Sequence, residues 1–107
     1  MESNYLTWEK ETFLTEHSYL IRLEMKLIKF PKPTRPEFPD GYKFRRIVYN
    51  IENPSELVRL DNHQGKPLHL HIDGDKKGKL VPWISLEETR QFFFQQVYQR
   101  FGYFDYE

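Results

Sequence analysis

An α+β domain is the fold this sequence predicts, with a mostly antiparallel sheet of four to five strands packed by one C-terminal helix. Three observations carry that prediction. From Ser18 to Phe30, Tyr19, Ile21, Leu23, Met25 and Leu27 share one parity while Arg22, Glu24 and Lys26 share the other, the mark of a strand with one packed and one wet face. Further alternating stretches follow, separated by short clusters of turn residues. A serine-led helical pattern comes last, with no β-α-β alternation and no internal repeat before it.

Residues 1–17 read as an N-terminal extension. Tyr5, Leu6, Trp8, Phe13 and Leu14 stand among five charges there, and Thr7 to Thr15 has room for a short strand or a helical turn. After the long strand come Pro31, Pro33, Pro36 and Pro39, closing at Asp40-Gly41. Proline removes backbone donors and restricts its predecessor, so this segment predicts an extended loop. Tyr42 to Ile51 resumes as a strand with apolar residues on both parities, which suits a central position. Glu52-Asn53-Pro54 reads as a turn and Ser55 to Asp61 as the antiparallel partner. Leu68 to Asp73 alternates again. Asp73-Gly74-Asp75-Lys76-Lys77-Gly78 is a polar turn, and Leu80 to Ile84 a short edge strand containing Pro82. Ser85-Leu86-Glu87-Glu88 has the spacing of a capping box. The helix it opens should run to about Arg100 or Phe101 and stop at Gly102. Leu86, Phe93, Val97 and Phe101 fall on one face of it and should cover the sheet. Residues 102–107 form an acidic, aromatic tail.

At 107 residues the chain suits a single domain, 1–107. The absence of cysteine rules out disulfides and thiolate metal sites and fits a reducing compartment. No apolar run approaches the ~18–20 residues that span a bilayer, and Met-Glu-Ser-Asn-Tyr does not begin a signal peptide. The expectation is a soluble, cytoplasmic protein with no membrane partner. Net charge is zero, but residues 20–80 carry 13 Lys and Arg against 8 Asp and Glu, and the two ends carry 3 against 8. A basic middle suits a polyanion, unless the segments interleave into an ordinary mixed surface. Lys26, Lys29, Lys32 and Arg35 gather along the strand end and proline loop, where they can serve as a phosphate track, dock an acidic segment of a protein partner, or simply solvate an edge.

The stretch richest in chemistry is Arg59 to Asp73. It holds three of the four histidines around one turn. Leu68, Leu70 and Ile72 alternate with His69, His71 and Asp73, so the aliphatic set can anchor the strand while two imidazoles and a carboxylate line up on its other face. If the preceding limb pairs with it, Arg59 and Asp61 lie beside the histidines. Three readings stay open. Histidines can move protons in metal-free RNA cleavage while cations hold the phosphate. His69, His71 and Asp73, completed by Asp61 or His63, resemble a two-histidine, one-carboxylate metal site. Or the polar residues only orient the hairpin, with Asn62 capping its turn. His17, outside this stretch, reads as surface.

Gly41-Tyr42-Lys43-Phe44-Arg45, then Arg59-Leu60-Asp61-Asn62, then Gly65-Lys66, then His69-Leu70-His71 form an ordered string. It resembles the TumE-type toxins of prokaryotic toxin–antitoxin pairs, over roughly residues 18–101 including the Ser85–Arg100 helix. Leu60 stands where that family has tyrosine, and Pro67-Leu68 where it has Gly-Asp. The resemblance implies a growth-inhibiting protein bound by a cognate antitoxin, often a small helix-turn-helix protein. Together with the residue chemistry it points to a metal-independent endoribonuclease needing no cofactor. His69, His71, Arg59 and Asp61 are the expected catalytic residues, and Arg45, Lys66, Lys43 and Tyr42 the expected RNA contacts. The alternatives are a non-catalytic accessory module of a defence or mobile-element locus and a His/Asp metal-binding protein. Oligomeric state stays open.

Overall fold

The computed structural model describes residues 4–30, 37–63 and 65–106. Six strands run in chain order across one antiparallel sheet: β1 Asn4–Leu14, β2 Leu20–Lys29, β3 Tyr42–Asn50, β4 Asn53–His63, β5 Lys66–Ile72 and β6 Lys79–Leu80. One helix, α1 Leu86–Phe101, follows them. The α+β expectation holds, with one or two strands more than the sequence suggested.

Register explains the core. Leu23 pairs with Val48, Val48 with Val58 and Val58 with Ile72, so alternation sends all four to one face. Ile21, Met25, Leu27, Phe44, Leu60, Leu68 and Leu70 join them, and Phe93, Phe94, Val97 and Phe101 of α1 close over the top. Ser85 caps the helix by accepting from Glu88 N at 3.1 Å. Gly102, at φ 95°, ends it with N–H donating to Tyr98 O at 2.8 Å, a backbone conformation that glycine adopts without steric cost.

Residues 4–14 are a full edge strand where a short element within an extension was expected. Among residues 8–14 Phe13 is the one large apolar side chain on the core side, between Phe104 at 4.7 Å and Tyr106 at 6.1 Å ring-to-ring. The tail therefore docks on the domain, and the Tyr106 hydroxyl donates to Glu9 at 2.7 Å. Thr15 locks the first turn to the last helix. Its Oγ1 accepts from the His17 and Tyr19 amides at 3.2 Å and donates to Phe101 O at 2.7 Å.

Two boundaries moved, and one side chain took another role. β4 starts at Asn53, inside the expected turn, because Asn50 Oδ1 takes the Glu52 N–H at 3.0 Å and tightens the hairpin. β6 is only Lys79–Leu80 and keeps Leu80 alone of the expected Leu80–Ile84 strand, since Pro82 has no N–H for the ladder. Asn62 does not cap its own turn. It is 3% exposed on the core side, accepts from Phe44 N at 3.0 Å and donates to Glu37 O at 2.8 Å and Tyr42 O at 3.1 Å. It staples the start of β3 and the chain before it to β4. Most of the expected proline loop, with Lys32 and Arg35, lies outside the described residues.

A buried guanidinium interrupts the core. Arg46 sits between Met25 and Leu60 in register, is 4% exposed, and its Nη1 has no hydrogen-bond partner. Its guanidinium carbon lies 5.4 Å from the Phe44 ring centroid. Burial, and secondarily the like charge of Arg90, lower its pKa from 12.5 to about 10.

Candidate functional site

The helix covers one face of the sheet; among the described residues no helix covers the other. On that open face Arg59 pairs with His71 and Asp61 with His69, so the four expected catalytic residues form one contiguous block. Arg45 lies opposite Asp61 on the next strand. Alternation along β3 adds Lys43 to the same face.

Within the block the two histidines differ. His69 is half-buried, and its Nδ1 lies 2.6 Å from Pro67 O. A carbonyl can only accept, so Nδ1 carries the proton and the neutral ring keeps its lone pair on Nε2. His71 is 2% exposed, so of the two imidazoles expected to line up on this face only that of His69 is accessible. The chain turns back at Asp73, φ 56°, and again at Gly78, φ 74°, and the intervening loop lies over the imidazole. His71 Nδ1 bonds Asp75 O at 2.9 Å. A Cβ on Gly78 would fall 2.6 Å from His71 Cε1, so only glycine fits against the ring in this arrangement. The two imidazoles stack at 6.4 Å between centroids.

Arg59 and Asp61 are neighbours along one strand face. Arg59 Nε lies 3.5 Å from Asp61 Oδ2 without a hydrogen bond on that nitrogen. This carboxylate balances the guanidinium closest to the histidines. The metal set does not assemble. Asp73 leaves the strand through its positive φ, pairs with Arg100 at 3.2 Å and accepts from Leu57 N at 3.0 Å. No group of three His, Asp or Glu among the described residues is placed to hold an ion.

The expected RNA contacts divide between the faces. Lys43 and Arg45 are on the open face. Tyr42 packs on the core side, 6.1 Å from the Trp83 ring, with Lys29 Nζ 4.3 Å from its own. Lys66 shares the parity of Leu68 and so lies on the helix side of β5. The lysine track is split in the same way, because Lys29 donates to Asp40 O at 2.6 Å while Lys26 is exposed on the open face.

The sequence reading missed Trp8 and Lys10, which this face also presents. Trp8 is 64% exposed, and the ammonium groups of Lys10 and Lys26 each lie 5.7 Å from its ring centroid. The available signal was the run Trp8, Lys10, Thr12 on one parity. Two shallow depressions mark this surface. One of about 160 Å³ is bounded by Trp8, Lys10, Glu24, Met25, Lys26, Arg45 and Ile47. The other, about 230 Å³, is bounded by Lys26, Lys43, Arg45, Asp61 and His63. A larger groove of about 410 Å³ runs elsewhere, between the β6 end and α1 beside Leu80, Pro82, Ile84 and Phe92, and is mainly apolar.

No family model, no curated protein and no solved structure matches the chain. Among the described residues no helix is long and apolar enough to cross a membrane.

Proposed function

We propose that this protein is the toxin component of a prokaryotic toxin–antitoxin pair and that it acts on RNA through the open sheet face. The observation that carries the reading is the register-matched block of Arg59, Asp61, His69 and His71, flanked by Arg45 and Lys43. In this reading His69 is the general base. Its Nε2 takes the proton of a ribose 2′-hydroxyl, the 2′-oxygen attacks phosphorus, and the bond to the 5′-oxygen breaks, that oxygen taking a proton from water. Such a base typically contributes ~10²–10⁴-fold. Arg59 and Arg45 balance the charge that builds on the phosphate, with Asp61 holding Arg59. His71 is a positioning residue that packs beside His69 and ties the 73–78 loop. The partner is a cognate antitoxin, expected to be a small helix-turn-helix protein, and the compartment is the cytoplasm.

The second reading is a non-catalytic module that binds through the same face. The sealing of His71 favours it, since one accessible imidazole is fewer than two-step acid–base chemistry ordinarily uses. Induced expression in a bacterium, scored for growth and followed by RNA profiling, separates the two. Cleavage predicts that wild type arrests growth with new RNA ends and that His69→Ala loses at least about 10²-fold of the activity. A fully toxic His69→Ala variant would rule out the base. Arrest without new ends would favour the binding module.

A further inference from the structure

Trp8 lies opposite Lys26, Lys26 opposite Arg45, Arg45 opposite Asp61, and Asp61 opposite His69. These five residues make one row straight across the sheet, all on the open face. Four strand-to-strand steps put its ends ~19 Å apart. The two depressions adjoin along this row, with Lys26 and Arg45 lining both. At one end stands an exposed indole between two ammonium groups, and at the other the half-buried imidazole. Aromatic faces stack unpaired bases and cations track the phosphates between them, the combination that single-strand binding surfaces use.

We propose that this row is the track of a single RNA strand, with Trp8 stacking a base at the β1 edge while Lys26 and Arg45 hold the phosphates leading to His69. The proposal rests on the RNA reading above and adds the residues that choose a single strand. Bases inside a duplex offer no free face to an indole at the sheet edge, whereas an acidic polypeptide would engage the cations and leave the ring idle.

The test uses Trp83→Phe protein, in which Trp8 is the one remaining tryptophan of two. Its fluorescence is followed during titration with a short oligouridylate, a matching RNA duplex and polyglutamate. The expected result is saturable quenching by the single strand. The Trp8 variants lack that reporter, so their binding is read by the anisotropy of a dye-labelled oligouridylate; Trp8→Ala should weaken it by roughly tenfold, the effect of losing one base–aromatic stack. Trp8→Phe, which keeps a ring, should retain most of the affinity. Lys26→Gln should lower the salt slope of binding by about one. Unchanged affinity in Trp8→Ala, with oligouridylate still bound, would overturn the track and leave the RNA reading standing. Tighter binding of the duplex without quenching would do the same. Quenching by polyglutamate in place of RNA, or no binding of either RNA, would overturn both.

Discussion

Replacing Arg46 by methionine should stabilise the protein. The guanidinium is 4% exposed within the apolar row Met25–Arg46–Leu60–Leu70, and its Nη1 is unpartnered. A pKa lowered from 12.5 to about 10, at ~1.4 kcal/mol per unit, sets about 3 kcal/mol as the upper figure for keeping this charge buried. The Phe44 ring at 5.4 Å offsets roughly 1–2 kcal/mol of that. Methionine fills a similar length of core without a charge, so the net gain is about 1–2 kcal/mol, roughly 5–10 °C in Tm for a domain of this size. Thermal unfolding by circular dichroism reads it. Below the folded pKa both states carry the proton, so the gain should be flat across neutral pH. Above about pH 10 the folded wild type sheds its proton before the unfolded chain does, and the gap should narrow. A Tm that falls by several degrees would refute the reasoning, because it would mean that the guanidinium is bonded and stabilising. RNA retention should be unchanged, since Arg46 faces the helix.

Gly78→Ala places a methyl where the His71 ring stands and puts a side chain at φ 74°. The backbone alone costs ~1–2 kcal/mol, and the displaced ring should shift the His71 imidazole resonances in NMR. An unchanged spectrum and Tm would mean that the loop does not sit on the ring. Asn62→Ala removes three hydrogen bonds, two of them buried, and should cost about 2–3 kcal/mol in urea unfolding, with faster exchange of the Phe44 amide; a loss well under 1 kcal/mol would remove its role as staple. Tyr106 has its pKa raised, first by burial and then by its bond to Glu9. Its contribution is therefore complete below the ordinary tyrosine range and is lost as pH rises through the folded value. Tyr106→Phe should flatten that alkaline fall in Tm, and an identical alkaline profile in the variant would discount the bond.

What could be read beforehand follows from how local each signal is. β2 was legible because Ile21, Leu23, Met25 and Leu27 all face a core while Arg22, Glu24 and Lys26 do not. β1 was not, because Glu9 and Glu11 occupy its core-side parity at the sheet edge, where the Tyr106 hydroxyl satisfies Glu9. The Arg59–Asp61–His69–His71 block needed only strand alternation and one hairpin, and both were visible. The burial of His71 was not, since it depends on two positive-φ residues, Asp73 and Gly78, folding a polar loop back over the ring. Asn62 looked like a turn residue because that is the role its side chain fills when no distant carbonyl competes. Here Glu37 O and Tyr42 O, far away in the chain, win.

The meander also has a cost during synthesis. Every strand finds its neighbour within the stretch just made, so the sheet can form as the nascent chain leaves the ribosome. Leu23, Val48 and Val58 are then left bare until the sixteen residues of α1 have emerged. Any pause before Ser85 prolongs that greasy, half-built interval, the kind of species that aggregates or recruits chaperones. Synonymous changes that slow translation just upstream of the helix should therefore lower soluble yield without altering a single amino acid.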